Sequence, residues 1–394
     1  MEIIKERMSI ITARRPAAGP ANDPFGREAA CEALRFHRTI PGYAETQLRS
    51  LGSAAHKYGV RSIFIKDEST RFGLNAFKGL GGSYALFRVL CDRLGLDHKT
   101  AVFSDFEAEE IREKCKDIVF VTATDGNHGK GVSWAAKLFG CRASVYMPAG
   151  SVEVRRKAIE DAGADSCVIT DFNYDKTVEL ASGIADENGW ILIQDTAWEG
   201  YEEIPEWIVD GYLTMAAEID KQLGDVWPTH VFLQAGVGAM AGGMTGYVMD
   251  RYKDDPPVIT IVEPDTVACI YKSVEADDGK SHSIDGDPVT IMAGLNCGTP
   301  CSVTWPVIRD SIAFCCKCTD EVAEDGMRAL AHPEGNDEPF KAGECGGVTY
   351  GVLLEILKDQ ELRDLYMIDE DSVIVLICSE GDTDPDNYRR ITSM

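Results

Sequence analysis

From about residue 117 onward, short segments rich in valine and isoleucine alternate with segments of helical periodicity. The strand-like segments are continuous apolar runs, which is typical of strands buried on both faces of a parallel sheet. This alternation predicts a doubly wound α/β architecture, because parallel neighbours need a helical crossover. The predicted strands are 117–124, 141–147, 165–170, 190–198, 230–234, 258–264 and 372–380, and the predicted helices are 130–140, 153–164, 177–189 and 205–223.

Length and charge narrow the class of protein. A chain of 394 residues exceeds what one compact core usually organises, so we expect two domains of mostly parallel sheet. The formal net charge of −26 repels nucleic acid and anionic membrane surfaces, so neither is expected as a partner. No apolar stretch approaches the roughly 20 residues of a membrane-spanning helix. The N-terminal residues also lack the apolar core of a secretory signal.

The 13 cysteines raise the question of disulfides and metals. Their odd number, irregular spacing and position inside apolar runs predict buried free thiols in a reducing compartment, the cytoplasm. Cys315, Cys316 and Cys318 lack paired C-x2-C units and a nearby histidine, so we predict no metal site. A disulfide or redox pair between Cys269 and Cys297 stays open as an alternative.

A lysine stands where a strand and a polar loop lead into a helix. The predicted strand at Ser62–Asp67 is followed by the loop, and Asn75–Gly79 then opens the helix with Lys78 inside it. The helix dipole disfavours a cation at this end, so the position of Lys78 needs an explanation. One interpretation is a solvated helix lysine. The other is a lysine whose neutral amine forms a Schiff base with a phosphate-bearing aldehyde.

Two loops rich in small residues lie between a strand and a helix. Thr122–Gly131 reads TATDGNHGKG, and the N–H groups at its helix start suit a carboxylate. Gln234–Gly243 reads QAGVGAMAGG and suits a phosphate in the same way. It does not match the dinucleotide pattern G-x-G-x-x-G cleanly, and no acidic ribose partner stands about 20 residues further on. Ligands bind at the carboxyl ends of parallel strands, so we expect these loops and Lys78 to form one site.

In this order, the Phe77-Lys78 pair, the Gly126-Asn127-His128 loop and the glycine-rich loop resemble the fold-type II family of pyridoxal 5′-phosphate (PLP) enzymes. The resemblance covers nearly the whole chain. It implies that Lys78 holds PLP as a Schiff base next to Phe77, and that Asn127 faces the ring hydroxyl. The residues implied to bind the phosphate are Gly236, Val237, Gly238, Ala239 and Met240.

The same resemblance implies the remaining architecture. The segment after the last strand offers Ser379 and Thr383 to the pyridine nitrogen, and we predict Thr383. The family's organisation implies a large PLP-binding domain made of residues 1–88 and 229–394. Residues 89–228 are then a smaller inserted α/β domain.

Two aspartates narrow the family. Asp125 stands before Gly126, where fold-type II enzymes that eliminate water usually carry serine or alanine. Asp195 follows the strand-like run WILIQ. Both local sequences, together with VEPD at 262–265 and MAGLNCGTP at 292–300, resemble the 2,3-diaminopropionate ammonia-lyase family. Two carboxylates facing one site predict a raised pKa for one of them.

This closer resemblance implies a reaction. It is the PLP-dependent α,β-elimination of 2,3-diaminopropionate, as the L and the D isomer, to pyruvate and two ammonia. Lys78 and Asp125 are implied as bases on opposite faces of the amino-acid substrate, and Asp195 as the partner of its β-ammonium. The substrate-binding residues implied are Thr124, Asp125, Gly126, Asn127, His128 and Asp195. A homodimer is expected from the family alone.

Simpler interpretations stay open beside these. Asp125 is also a common type of helix N-cap, and Asp195 is also compatible with a structural ion pair. His128 is compatible with packing or loop bonding as well as with a general base. Trp198 and Tyr201 are compatible with packing or with the rim of a pocket. The alternative function is a dehydratase of serine, threonine or hydroxyaspartate that uses the same lysine. A non-enzymatic binding module is disfavoured because Lys78 is present.

Overall fold

The computed structural model describes residues 1–13, 24–124, 126–286 and 288–393. The chain divides into two compact units. The first consists of Met1–Arg27, Glu45–Thr70 and Met215–Met394, and the second of Glu28–Ala44 and Arg71–Thr214. These units differ from the predicted domains. Residues 28–44 and 71–88 lie in the second unit, and residues 215–228 lie in the first.

Strands and helices alternate through most of the described residues. The strands are β1 (Glu2–Ile4), β2 (Met8–Thr12), β3 (Leu48–Ser50), β4 (Ser62–Asp67), β5 (Val119–Ala123), β6 (Arg142–Met147), β7 (Ser166–Ile169), β8 (Ile191–Leu192), β9 (His230–Gln234), β10 (Val258–Pro264), β11 (Phe314–Cys318) and β12 (Val373–Cys378). Short 3₁₀ helices cover Glu68–Gly73, Phe103–Glu107, Asp265–Val267 and Ala293–Leu295.

The α-helices are mostly amphipathic crossovers between these strands. They are α1 (Arg27–His37), α2 (Gly52–Tyr58), α3 (Gly79–Leu94), α4 (Glu109–Cys115), α5 (Asn127–Phe139), α6 (Glu153–Ala162), α7 (Tyr174–Asn188), α8 (Glu203–Leu223), α9 (Ala239–Arg251), α10 (Cys269–Ala276), α11 (Trp305–Ser311), α12 (Asp320–Ala331), α13 (Glu344–Lys358), α14 (Gln360–Tyr366) and α15 (Pro385–Thr392). None of the helices in the described ranges is long and apolar enough to cross a membrane.

The first unit contains an eight-stranded sheet in the order β1-β2-β11-β10-β9-β12-β4-β3. The strands from β11 to β4 run parallel, while β2 and β3 pair antiparallel with their inner neighbours and β1 pairs antiparallel with β2. Every residue of β9 and β12 is buried, as expected for parallel strands covered on both faces. The register pairs Leu376 with Phe232, so the carboxyl ends of β9 and β12 lie side by side.

The core of the first unit forms between this sheet and α13. Ile63, Phe232 and Leu376 of the sheet belong to the same apolar cluster as Val348 and Leu353 of α13. Burial of this size is the main favourable contribution to folding. It requires the almost uninterrupted apolar composition that α13 carries.

The second unit contains a four-stranded, fully parallel sheet in the order β7-β6-β5-β8. Val121 of β5 pairs with Leu192 and shares an apolar cluster with Ala181 of α7. Its neighbour Thr122 pairs with Val145, which clusters with Ile159 of α6. Successive residues of a strand face opposite sides, so α6 and α7 cover opposite faces of the sheet. The predicted doubly wound, mostly parallel α/β class is thereby confirmed.

One predicted strand is much shorter in the structure than in the sequence pattern. The pattern placed a strand over 190–198, but β8 covers only Ile191–Leu192. The apolar run of this segment continues to Ile193, which still donates a ladder bond to Val121 O at 2.8 Å. Beyond that residue, the backbone leaves the sheet.

Helices α3 and α5 touch through their main chains. A β-carbon on Gly131 of α5 would lie 2.9 Å from the carbonyl carbon and oxygen of Lys78, and one on Gly82 of α3 would lie 3.0 Å from the Gly131 carbonyl carbon. Only glycine permits such an approach. The start of α3, where Lys78 is the N-cap, is therefore held against α5.

We expect Gly131→Ala to destabilise the protein by about 1–3 kcal/mol, because the new methyl group overlaps main-chain atoms that cannot rotate away. The matched control is Gly183→Ala in α7. A β-carbon there meets nothing within 4 Å. Removing a mid-helix glycine at that position should stabilise the protein by roughly 0.5–1 kcal/mol. Urea unfolding of both variants checks this, and equal effects would contradict the close contact.

Candidate active site

Lys78 lies in contact with a buried carboxylate. Its Nζ is 2.5 Å from Oδ2 of Asp195, and the two side chains are 16% and 8% exposed. The aromatic rings of Phe77 and Tyr212 flank the amine at 5.4 and 5.6 Å from their centroids. The structure thus brings together three residues that the sequence analysis selected, namely Lys78, Phe77 and Asp195.

The ion pair fixes the charge of Asp195. Burial raises the pKa of this carboxyl, but the charge of Lys78, the nearby His128 and the hydrogen bond from Lys78 outweigh burial and lower it to about 2. The raised pKa predicted for one of the two aspartates is therefore not that of Asp195. Counting carboxylates does not decide which one is raised, because the ammonium in contact with Asp195 sets the sign there.

His128 is the third buried polar group of the cluster. Its Nε2 lies 2.9 Å from the carbonyl oxygen of Ile193, and its Nδ1 lies 3.8 Å from Oδ2 of Asp195. A carbonyl only accepts, so Nε2 carries the proton and Nδ1 presents a lone pair. Burial lowers the pKa of His128, which keeps the ring neutral. Nδ1 has no hydrogen-bond partner within the described residues.

The loop before α5 is shaped by Thr124. Its hydroxyl accepts from the amides of Gly126, at 2.9 Å, and Gly129, at 3.0 Å. Gly126 has a φ of +153°, which a side chain would strain, and Asn127 begins the helix next to His128. Asp125, predicted as a catalytic and substrate-binding residue, lies outside the described residues.

In the first unit, the glycine-rich turn follows the buried strand β9. Gly238 caps α9 with a φ of +88°, and a β-carbon on Gly236 would lie 3.1 Å from Cα of Leu295. The amides of Gly236, Val237, Gly238, Ala239 and Met240 have no acceptor among the described residues. Successive free N–H groups at the start of a helix fit a phosphate ester, since they donate to it and the helix dipole favours its charge.

The segment after β12 presents Ser379 and Thr383. Nε2 of Gln234 donates to Oγ of Ser379 at 2.9 Å, which ties Ser379 to the residue just before the glycine-rich turn. Oγ1 of Thr383 donates to Oε2 of Glu380 at 3.2 Å. The Ser379 hydroxyl can therefore still donate, whereas the Thr383 hydroxyl can only accept a further bond while its proton is directed to Glu380. Gln234 was not predicted as a site residue from the sequence, although its place at a strand end was a signal.

No disulfide joins any of the 13 cysteines, all of which lie in the described residues. Cys269, left open above as a disulfide partner of Cys297, instead directs its Sγ to the Cys297 carbonyl oxygen at 3.6 Å. Cys315, Cys316 and Cys318 are buried on β11. Within the ranges that the structure covers, no group of three or more potential ligands is placed to hold a metal ion.

Comparison with known proteins identifies the class that this fold and lysine site define. Residues 39–379 match the family model described as pyridoxal-phosphate dependent enzyme. The chain is 48% identical over 367 residues to the diaminopropionate ammonia-lyase of Salmonella typhimurium, covering 91% of each chain. It is 45% identical over 378 residues to that of Escherichia coli K12, covering 95% of this chain and 93% of the relative. The chain therefore belongs to the diaminopropionate ammonia-lyase family of pyridoxal-phosphate dependent enzymes.

Solved structures agree with this relationship. The holo diaminopropionate ammonia lyase of Escherichia coli superposes with a TM-score of 0.91 at 42% identity, covering 98% of this chain and 96% of that one. The same enzyme is known with D-serine, at a TM-score of 0.91, and with an aminoacrylate-PLP azomethine reaction intermediate, at 0.89. A tomato threonine deaminase, with a TM-score of 0.75 at 18% identity, shares the fold.

We expect Lys78→Met to destabilise the cofactor-free protein by about 3 kcal/mol at pH 7, because it leaves a buried carboxylate unpaired. In the wild type, the pKa of Asp195 is about 2 against an ordinary 3.8, so the ion pair stabilises the fold above pH 3.8 and loses its effect only as the pH falls towards 2.

In the variant, Lys78 no longer offsets burial, so we expect the pKa of Asp195 to rise and the destabilisation to grow as the pH rises through that pKa. Urea unfolding at pH 5 and pH 7 measures the difference. The double variant Lys78→Met/Asp195→Asn is the control and should recover part of the loss at pH 7. A loss independent of pH would contradict the assigned pairing.

Proposed function

We propose that this protein catalyses the α,β-elimination of 2,3-diaminopropionate to pyruvate and two ammonia, with PLP as cofactor. The observation that carries the proposal is the contact between Asp195 and an ammonium. A carboxylate that remains ionised while buried is suited to bind a second amino group of a substrate. Serine and threonine carry a neutral hydroxyl at the same position and gain nothing from that charge.

The residues proposed to hold the cofactor fit its chemistry. Lys78 supplies the amine for the Schiff base, flanked by the ring of Phe77. The free amides of the glycine-rich turn supply the phosphate site. Asn127 and Thr383 are proposed for the ring hydroxyl and the pyridine nitrogen. When bound, PLP withdraws the electrons left behind as the α-proton departs.

The protein's own groups then handle the protons. Lys78 is proposed to take the α-proton of one isomer, and Asp125 that of the other from the opposite face. The β-amino group leaves readily only as an ammonium, and Asp195 holds it in that form. Neutral His128, whose Nδ1 lies 3.8 Å from Oδ2 of Asp195, can accept from that ammonium. Thr124, Gly126 and Asn127 provide the loop proposed for the substrate carboxylate. The released three-carbon enamine hydrolyses with one water to pyruvate and the second ammonia.

The test is the ammonia-to-pyruvate ratio from purified protein with PLP and either isomer of 2,3-diaminopropionate. We expect two ammonia per pyruvate, because both amino groups leave the carbon skeleton. Serine and threonine are the controls, since each yields one ammonia per keto acid. Turnover confined to those two substrates would refute the proposal and favour the dehydratase alternative.

Three variants assign the roles within this reaction. Lys78→Ala should abolish turnover and the visible absorption of the bound cofactor. Asp195→Asn should lower kcat/KM for diaminopropionate by about 10²–10⁴-fold and spare any activity on serine. Asp125→Asn should reduce turnover of the D isomer more than that of the L isomer. Equal loss on both isomers would overturn the assignment of one base to each face.

We also propose a homodimer in the cytoplasm. Family membership supports the dimer, and 13 cysteines without a disulfide suit a reducing compartment. Light scattering should give twice the mass of the 43.1 kDa chain, and a species at monomer mass would refute the dimer. Fractionation of the host cells, with recovery alongside cytoplasmic markers, would check the location.

A further inference from the structure

The segment that carries Asp195 leaves the sheet although its sequence still favours a strand. β8 ends at Leu192, yet Ile193 and Gln194 remain fully buried. Buried main-chain groups that leave a sheet need other partners, because an unsatisfied one is costly. Here His128 Nε2 donates to the Ile193 carbonyl oxygen, and the side chains of Tyr201 and Gln194 supply the further partners.

The hydroxyl of Tyr201 bridges two main-chain groups of this segment. It donates to the carbonyl oxygen of Leu192 at 2.9 Å and accepts from the amide of Gln194 at 2.9 Å. Burial raises the pKa of Tyr201, so the phenol stays protonated and able to donate. One hydroxyl thus satisfies two main-chain groups that point away from β5, since the amide of Ile193 between them donates to the Val121 carbonyl oxygen.

The side chain of Gln194 takes the place of the next ladder bond between β5 and a longer β8. Its Oε1 accepts from the amide of Ala123 at 3.1 Å, at the end of β5, and its Nε2 donates to the hydroxyl of Tyr174 at 2.8 Å. The residue immediately before Asp195 is therefore fixed on its main chain and on its side chain.

Tyr201 is itself held rigidly. Its amide donates to the Trp198 carbonyl at 2.8 Å, and its ring stacks on that of Trp198 with centroids 4.5 Å apart and planes 22° apart. Gly200 makes the turn between them with a φ of +87°. The chain thus folds back from Asp195 to Tyr201, and the tyrosine returns its hydroxyl to the residues that precede Asp195.

We infer that Tyr201 is a positioning residue, whose hydroxyl sets the place of the Asp195 carboxylate relative to Lys78. The expected effect of Tyr201 on catalysis rests on the proposed function, in which Asp195 binds the second amino group of the substrate. Continued strand geometry would direct residue 195 by the alternation of the sheet, whereas the bridged turn brings its carboxylate to Lys78 at 2.5 Å. A packing role for the ring alone would not need the hydroxyl.

Tyr201→Phe separates the hydroxyl from the ring, since it keeps the stack on Trp198. The matched control is Tyr146→Phe, which removes a hydroxyl from the same apolar cluster. The Tyr146 hydroxyl makes no hydrogen bond within the described part of the chain. In cofactor-free protein, amide hydrogen exchange of peptides covering 192–196 should be about five- to tenfold faster in Tyr201→Phe, because one hydrogen bond to the Gln194 amide is lost. It should be unchanged in Tyr146→Phe, and equal exchange in both variants would overturn the inference.

Kinetic measurements test whether the Tyr201 hydroxyl acts through Asp195. With PLP and 2,3-diaminopropionate, Tyr201→Phe should lower kcat/KM by about 10- to 100-fold, the cost of a small misplacement of a catalytic group. Added to Asp195→Asn, it should have no further effect, since a positioning residue has nothing left to position. Full additivity in this double-mutant cycle would overturn the inference.

The two proposals fail in different ways. If Asp195→Asn leaves turnover of diaminopropionate intact, the proposed role of Asp195 is wrong. The exchange measurement still decides whether Tyr201 fixes the segment. If Asp195→Asn abolishes turnover and Tyr201→Phe does not reduce it, the proposed function stands and the positioning role of Tyr201 is refuted.

Discussion

The arrangement of the second unit depends on one ammonium and one carboxylate held together out of water. Neither charge is tolerable there alone, so every element that touches them has to deliver its group accurately. α3 presents Lys78 at its first turn, where the helix dipole opposes a cation, and Asp195 offsets that disadvantage. The backbone after β8 presents Asp195, and α5 adds a neutral histidine that brings no further charge.

In the first unit, main-chain amides and not side chains are the groups available to bind a charge. A fully buried strand ends at Gln234, and the chain turns through Gly236 and Gly238 into α9 before its amides find acceptors. Because these donors are main-chain groups, they bind a ligand without the entropic cost of ordering a side chain. Ser379 is tied to the same strand end through Gln234, because β9 and β12 run parallel in adjacent register. In each unit, the groups that are able to bind a ligand or to react follow the ends of parallel strands, as expected for doubly wound sheets.

Sequence patterns predicted the repeated, local features. The alternation of strands and helices gave the α/β class, and Lys78 and the glycine-rich turn stood out because their local context is unusual for their residue types. The end of β8 was missed, because it depends on a hydroxyl that returns from Tyr201, nine residues beyond Leu192 in the chain. The lowered pKa of Asp195 was missed for a similar reason. Its sign depends on the distance to Lys78, which no local pattern encodes.

The contact between Gly82 and Gly131 has a consequence for motion. Most helix pairs meet through side chains, whose rotamers exchange and let the helices shift as temperature rises. Here main chain meets main chain at Lys78, and main-chain atoms have no rotamers to exchange. Thermal displacement of the Lys78 amine therefore arises almost entirely from rotation about the four side-chain torsions of the lysine. As the temperature rises, the positions sampled by Nζ of Lys78 should therefore broaden well before the position of its Cα changes.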